Sequence, residues 1–239
     1  MATQAEQSSA LRKIFEARRA YDRVATVYER WHWFEFWRRN EAPIVQQWIK
    51  SLAPAPFLDA GSGTGLYSDA IRNAGHAGIA VDLSFNMLQQ QRAEHGRGQA
   101  GSQRLIQADI RRLPLRSASM EYVLTTRALS HVADIFLVAK ELRRVMGRRG
   151  QLLVTDVHPR HPYTHVAIGH GENRIVIETY KHSMETVRLA FAAAGLRIDS
   201  LQEYGLQHLA WKPPADLFQK IYAAPECPIF YACWFTVAP

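Results

Sequence analysis

A short apolar strand that runs straight into three closely spaced glycines is the feature that most constrains this chain. Pro54 and Pro56 punctuate the sequence, Phe57-Leu58-Asp59-Ala60 follows, and Gly61-Ser62-Gly63-Thr64-Gly65 leads into a helix pattern that ends near Gly75. Glycine permits the tight turn and lets a ligand approach the backbone. A second strand, Gly78 to Val81, ends in Asp82. An acid closing an apolar strand needs a reason, and here it can accept hydrogen bonds from two ribose hydroxyls. A nucleoside-containing ligand is implied. A dinucleotide site would share these features, but its loop reads G-x-G-x-x-G, whereas Leu66 occupies the later position here; NAD is the weaker reading.

Downstream, strand and helix patterns alternate. The periodicity predicts a helix over Ser84 to Glu94, strands over Arg104 to Gln107 and Glu121 to Thr125, a helix over Asp134 to Met146 and a strand over Gln151 to Asp156. The helix from Asp134 is the clearest, because Ile135, Val138, Ala139, Leu142 and Val145 recur at helical spacing, with Asp134 at the positive end and Gly147 as a stop. Such alternation builds a parallel sheet with helices on both faces. After Asp156, Pro159, Pro162, Gly169 and Gly171 mark an insertion ending in an apolar strand, Ile175 to Tyr180. A helix over Ser183 to Ala194 and strands over Leu196 to Leu201 and Ile229 to Val237 then close the sheet.

On these residues the chain resembles the class I S-adenosylmethionine-dependent methyltransferases, in the branch that includes ubiquinone/menaquinone-type and biotin-pathway enzymes. DAGSGTG, Asp82 in VDLS, Asp109 in QADI, Leu113-Pro114-Leu115 and ELRRVMGRRGQLLVTD fall in the family order between Asp59 and Asp156. The resemblance implies an α/β, Rossmann-like, doubly wound and mostly parallel seven-stranded sheet. It also implies an N-terminal helical lid and an inserted hairpin after strand five. Residues 1–50 would be the lid and substrate-binding segment, residues 51–239 the core, and about 159–181 the hairpin. S-adenosyl-L-methionine would be the donor and S-adenosyl-L-homocysteine the product. Asp59, Gly61, Gly63 and Gly65 would hold the methionyl end, Asp82 the ribose, and Asp109 with Ile110 the adenine. Leu83 would pack on the adenine ring, and Thr126, at the end of strand four, joins the donor-binding set. Asp59 as a helix cap and Asp109 as a turn residue are the bland alternatives.

Methyl transfer from a sulfonium is an in-line displacement, so the acceptor must be positioned, water excluded and often a proton removed. His131, after strand four, and His158, after strand five, stand at the strand edge where open α/β sheets bind ligands, and are the candidate catalytic residues. From Leu11 to Lys50 the chain is helix-friendly and aromatic, with Pro43 dividing it. Tyr21 and Tyr28 share one helical face and suit a cation-π contact with a sulfonium; helix packing alone is the alternative. Tyr163, His165 and His182 would form the other wall. After strand four stands Thr-Arg-Ala-Leu-Ser-His in place of the Asn/Asp-Pro-Pro-Tyr of enzymes that methylate adenine or amide nitrogens, which disfavours those substrates.

The net charge of +7 is carried mostly by dispersed arginine pairs, with no dominant basic run. Nucleic acid is therefore an unlikely partner, and a small-molecule acceptor, O-methylated in preference to N or C, is expected. An RNA methyltransferase and a non-catalytic donor-binding protein are the alternatives. Cys227 and Cys233 have no metal or redox spacing, Met1 to Arg12 carries no apolar signal stretch, and no membrane helix is readable. A cytoplasmic monomer or homodimer without metal is the expectation.

Overall fold

The computed structural model describes residues 14–95, 103–162, 165–169 and 174–238. In chain order, β1 (Ile14–Phe15), α1 (Ala17–Val24), a 3-10 stretch (Ala25–Arg30), α2 (His32–Asn40) and α3 (Ala42–Ser51) precede the core. Pro43 opens α3, as its fixed φ and missing N–H favour. The core runs β2 (Pro56–Ala60), α4 (Ser68–Asn73), β3 (Ala77–Asp82), α5 (Phe85–His95), β4 (Arg104–Gln107), β5 (Met120–Thr126), α6 (Ile135–Val145) and β6 (Met146–Val157). Then follow β7 (Val166–Ile168), β8 (Ile175–Ile177), α7 (Met184–Ala193), β9 (Leu196–Tyr204), α8 (Gln219–Ala223) and β10 (Phe230–Val237).

Seven strands form one sheet in the order β4-β3-β2-β5-β6-β10-β9, with β10 alone running antiparallel to its neighbours. Side chains alternate across it. Leu58, Val123, Leu152 and Cys233 face α6 and α7, while Phe57, Leu124, Leu153 and Ala232 face α3 and α4. All five apolar residues of the α6 stripe are buried, and Asp134 caps the helix by accepting from the Phe136 N–H at 3.0 Å. Gly147 does not stop this helix: the chain passes from Val145 directly into β6, and Met146 is already buried in the sheet.

The insertion is a hairpin, β7 antiparallel to β8, but it is not isolated. Strand β1 adds to β8 in parallel, pairing Ile14 with Val176 and Phe15 with Ile177, so the N-terminal segment and the insertion make a second, three-stranded sheet. Tyr163 and Gly171 lie outside the described residues. Residues 205–228, to which the sequence pattern assigns no element, carry α8. They pack Leu209, Phe218 and Ile221 against Phe36 and Trp37 of α2.

Reversal of chain direction across the sheet leaves a crevice between β2 and β5, where open α/β sheets place their ligands. Everything above it depends on a rigid floor. Phe191 of α7 is fully buried and stacks on Phe235 of β10 at 4.6 Å. In urea titration, Phe191→Ala is expected to cost about 3–5 kcal/mol, and Asp134→Ala about 1 kcal/mol.

Candidate active site

The glycine loop is stitched to the neighbouring strand by its backbone. The N–H groups of Gly61 and Ser62 both donate to the Val81 carbonyl, at 2.7 and 3.0 Å. Gly61, Gly63 and Gly65 have φ values of 81°, 57° and 88°, a region that disfavours residues with a Cβ. Space reinforces two of them: a Cβ at Gly61 would sit 2.8 Å from the Ala128 Cβ, and one at Gly65 2.5 Å from Gln91 Cγ. At Gly63 it would meet nothing within 4 Å. The loop thus presents bare backbone at Gly63 to open space. Buried Gln91 of α5 braces it from beneath, accepting from Ser62 Oγ at 2.9 Å and donating to Ser68 Oγ at 2.8 Å. Sequence reasoning passed over Gln91, because nothing in a helix pattern marks which polar residue turns inward.

Two carboxylates lie under this loop. Asp82 accepts from the Gly63 N–H and the Ser84 N–H, both at 2.8 Å, and burial still pushes its carboxyl up to about 6. Asp59 is fully buried, neither of its oxygens has a hydrogen-bond partner, and burial, with the charge of Asp82 adding to it, pushes it up to about 7. An orphaned buried carboxylate is costly unless a donor or cation completes it. Asp82 and the bare Gly63 backbone face the open space above the loop and offer an acceptor and an uncrowded main chain to a nucleoside-bearing ligand, so the residues present fit the expected donor.

A cavity of about 310 Å³ opens over the loop. Ten of the thirteen donor-binding and catalytic candidates line it: Tyr21, Tyr28, Gly61, Gly63, Asp82, Leu83, Asp109, Ile110, Thr126 and His131. Asp59 and Gly65 lie outside this lining. Asp109 is held by Arg111, whose Nε and backbone N–H reach its carboxylate at 3.0 and 2.8 Å, and the guanidinium keeps its carboxyl below the ordinary range.

The N-terminal segment forms the facing wall. Asp22 of α1 accepts from Ser84 Oγ at 2.6 Å and the Asn86 N–H at 3.2 Å, tying the helix to the end of β3. Tyr21 meets His131: its hydroxyl lies 2.8 Å from Nε2, while Nδ1 lies 2.9 Å from the Glu178 carbonyl. A carbonyl only accepts, so Nδ1 carries the proton and Nε2 accepts from the tyrosine. Burial lowers the basicity of His131, so the ring is neutral. The 3-10 turn that presents it, Leu129–His131, is capped by buried Asp156, which accepts from the Ser130 N–H at 2.8 Å.

His158 is placed elsewhere. It borders a small separate cavity, and both ring nitrogens are occupied, Nε2 by Glu203 at 2.8 Å and Nδ1 by the Arg160 N–H at 3.1 Å. His182 bonds the Val132 carbonyl at 2.7 Å. Two residues that the sequence did not single out stand at the centre. Glu41, at the start of α3, is fully buried and accepts from Tyr67 and Thr155 hydroxyls, each at 2.6 Å, and from Arg127. Arg127 follows β5, has a φ of 54°, and lies over the Trp37 ring. A left-handed arginine costs roughly 1–2 kcal/mol that its surroundings must offset.

Because Asp59 and Asp82 ordinarily titrate near 3.8, the folded chain holds more protons than the unfolded chain between about pH 4 and 7. Their contribution therefore falls as pH rises through that window. Asp59→Asn is expected to raise the thermal midpoint at pH 8 and to flatten the pH 4–7 slope relative to wild type. An unchanged slope would count against a protonated Asp59.

A family profile described as a methyltransferase domain matches residues 58–154. A malonyl-[acyl-carrier protein] O-methyltransferase of Erwinia pyrifoliae is 38% identical over 100 residues, 42% of this chain and 36% of that protein. The enzyme of the same name from Pseudescherichia vulneris is 29% identical over 188 residues, 72% of this chain and 73% of its own length. The match thus spans little more than a third of the first relative. Among solved structures, geranyl diphosphate C-methyltransferase from Streptomyces coelicolor, with S-adenosylhomocysteine bound, superposes with a TM-score of 0.63 at 13% identity. That superposition covers 83% of this chain and 81% of the other, and shows the shared fold. No helix among the described residues is long and apolar enough to cross a membrane. The bare backbone at Gly63, the acids beside it and the sheet order agree with these matches: residues 58–154 form a methyltransferase domain, and the fold is the one seen in solved S-adenosylmethionine-dependent methyltransferases.

Proposed function

We propose that the protein transfers a methyl group to an oxygen of a small, partly apolar acceptor, with His131 as the acceptor-side base. The observation that carries this reading is the fixed tautomer of His131. Its protonated nitrogen is anchored on the Glu178 carbonyl, and its lone pair faces the Tyr21 hydroxyl inside the donor cavity. When bound, S-adenosylmethionine supplies an electrophilic methyl group on its sulfonium. Asp82 and the Gly63 backbone orient the nucleoside and methionyl ends, and Leu83, Asp109 and Ile110 line the adenine side. An acceptor hydroxyl displaces Tyr21 from Nε2 and gives its proton to the ring.

The acceptor's body would extend toward an adjoining cavity of about 20 Å³, walled by Tyr21, Tyr28, Trp31, Trp33 and Trp37, which shares Tyr21, Tyr28, Arg127 and His131 with the donor cavity and must widen to receive it. Aromatic walls suit an apolar metabolite better than a phosphate backbone. The names of the relatives favour oxygen as the acceptor atom and an acyl group carried on a protein as one candidate acceptor. His158 is left with a structural role. The lid is narrower than residues 1–50: α2 is clamped by residues 205–228, whereas α1 is held to the donor edge by the polar bonds of Asp22 and by a smaller apolar cluster around Ala20 and Val24.

Calorimetry should show micromolar binding of S-adenosylhomocysteine, and Asp82→Ala should weaken it by roughly 1.5–3 kcal/mol for each charge-assisted bond lost. Amide exchange in the bound state should slow in Ala17–Val24 and change little in His32–Asn40. Tight NAD binding without a response to the methyl donor would overturn the donor assignment.

Turnover should be screened on hydroxylated aromatic acids and on malonyl thioesters. His131→Ala should lower it by about 10²- to 10⁴-fold with product affinity retained. Because burial lowers the basicity of His131, activity on a hydroxyl acceptor should rise through an apparent pKa below 6.5 and then level off. A carboxylate acceptor, already ionised, should lack that limb. Full activity of His131→Ala would remove the base, and salt-sensitive methylation of structured RNA would overturn the acceptor class.

A further inference from the structure

The turn from Arg127 to His131 connects both halves of the site. Its first residue has the left-handed backbone noted above, and its N–H donates to the Thr155 carbonyl at 2.7 Å. Ala128, next in line, is the residue a Cβ on Gly61 would strike. The Ala128 carbonyl accepts from the His131 N–H at 3.1 Å, so a rotation at Arg127 moves the wall against the glycine loop and the ring facing Tyr21 together. Asp156 fixes the far end of this turn through Ser130. At the near end, the Arg127 guanidinium is held by the ion pair to Glu41, with the Trp37 ring beneath it and the Tyr28 hydroxyl beside it.

Glu41 is unusual for a residue of the N-terminal helices. It is fully buried, and its other two partners, Tyr67 after the glycine loop and Thr155 of β6, both belong to the core. Such a carboxylate stays in place only with its donors satisfied, so its position is set by the core and not by the flexibility of its own segment. An ordinary surface pair would do none of this.

We infer that Glu41 and Arg127 are a positioning pair: the ion pair holds Arg127 in its left-handed conformation, and that conformation sets His131 against Tyr21 and Ala128 against Gly61. Neither residue is assigned contact with the reacting atoms. The inference rests on the acceptor-side role given to His131, but its test reads ring geometry instead of turnover, so the two fail separately.

Glycine adopts the left-handed region without strain, whereas alanine does not. Glu41→Gln/Arg127→Gly and Glu41→Gln/Arg127→Ala therefore remove the same ion pair without leaving a buried charge, and differ only in whether the turn is strained. Imidazole nitrogen NMR at pH 8, with the His131 signal assigned by His131→Gln, reports the tautomer, and calorimetry with S-adenosylhomocysteine reports the glycine-loop side. The glycine double is expected to keep the fixed Nδ1–H tautomer and to bind product within about threefold of wild type. The alanine double is expected to show averaged tautomers and about tenfold weaker binding. Thermal midpoints establish that both fold. Should either double unfold, the same comparison is made on Arg127→Gly and Arg127→Ala in the Glu41 background. Identical tautomer signals in the two variants, both native-like or both averaged, would overturn the inference.

Discussion

Two N–H groups sharing one carbonyl hold this site open. Gly61 and Ser62 both bond Val81, so the loop after β2 is fastened to the tip of β3 and cannot collapse into the crevice beside β5. The fastening dictates what lies beneath: Asp82, one residue after Val81, is brought to the Gly63 N–H, and Asp59 is sealed under the loop without a partner. The electrostatics follow from that geometry. A chain with an acid at the cavity wall, a second acid buried behind it and bare backbone facing open space has a site prepared for a nucleoside-bearing ligand before any ligand arrives.

The N-terminal residues divide into two kinds of attachment. Helices α2 and α3 are core: Phe36 and Ile49 are fully buried, and Trp211 donates its backbone N–H to Asn40 at 2.9 Å. Helix α1 and β1 join the molecule through a smaller apolar cluster, in which Phe15, Ala20 and Val24 pack with Met87, Ile168 and Ile177, through the edge of a small sheet and through the polar contacts of Asp22. Of that attachment, the polar contacts reform with water at little net cost, whereas the apolar burial does not.

What the sequence made legible were features whose meaning is local. The glycine spacing, the acid ending β3 and the stripe of α6 each state their role within a dozen residues, and a mostly parallel sheet follows from the alternation of strands and helices. Glu41, Gln91 and Arg127 have no such signature. Glu41 reads as a helix-start acid, Gln91 as one more polar residue of α5, and Arg127 as one charge among many; their roles exist only once distant elements meet. His158 shows the converse limit. Its place at a strand end suggested chemistry, yet β9, on the far side of β10, supplies Glu203 to its Nε2, a partner that no local pattern announces. Likewise β1, two residues long, has no pattern of its own and is defined by pairing with β8.

The strand order also bears on how the chain assembles. β10 lies between β6 and β9 and pairs with both along most of its length, so β9 has no sheet partner until residues 230–237 arrive. During synthesis the donor crevice, built from β2 to β6, can form while β9 and α7 still wait with an apolar face uncovered. The closing of the sheet is then a long-range event, slow compared with local helix formation, and the exposed edge of β6 is the surface most open to wrong pairing in that interval. A site that is complete early is thus carried by a sheet that is complete last.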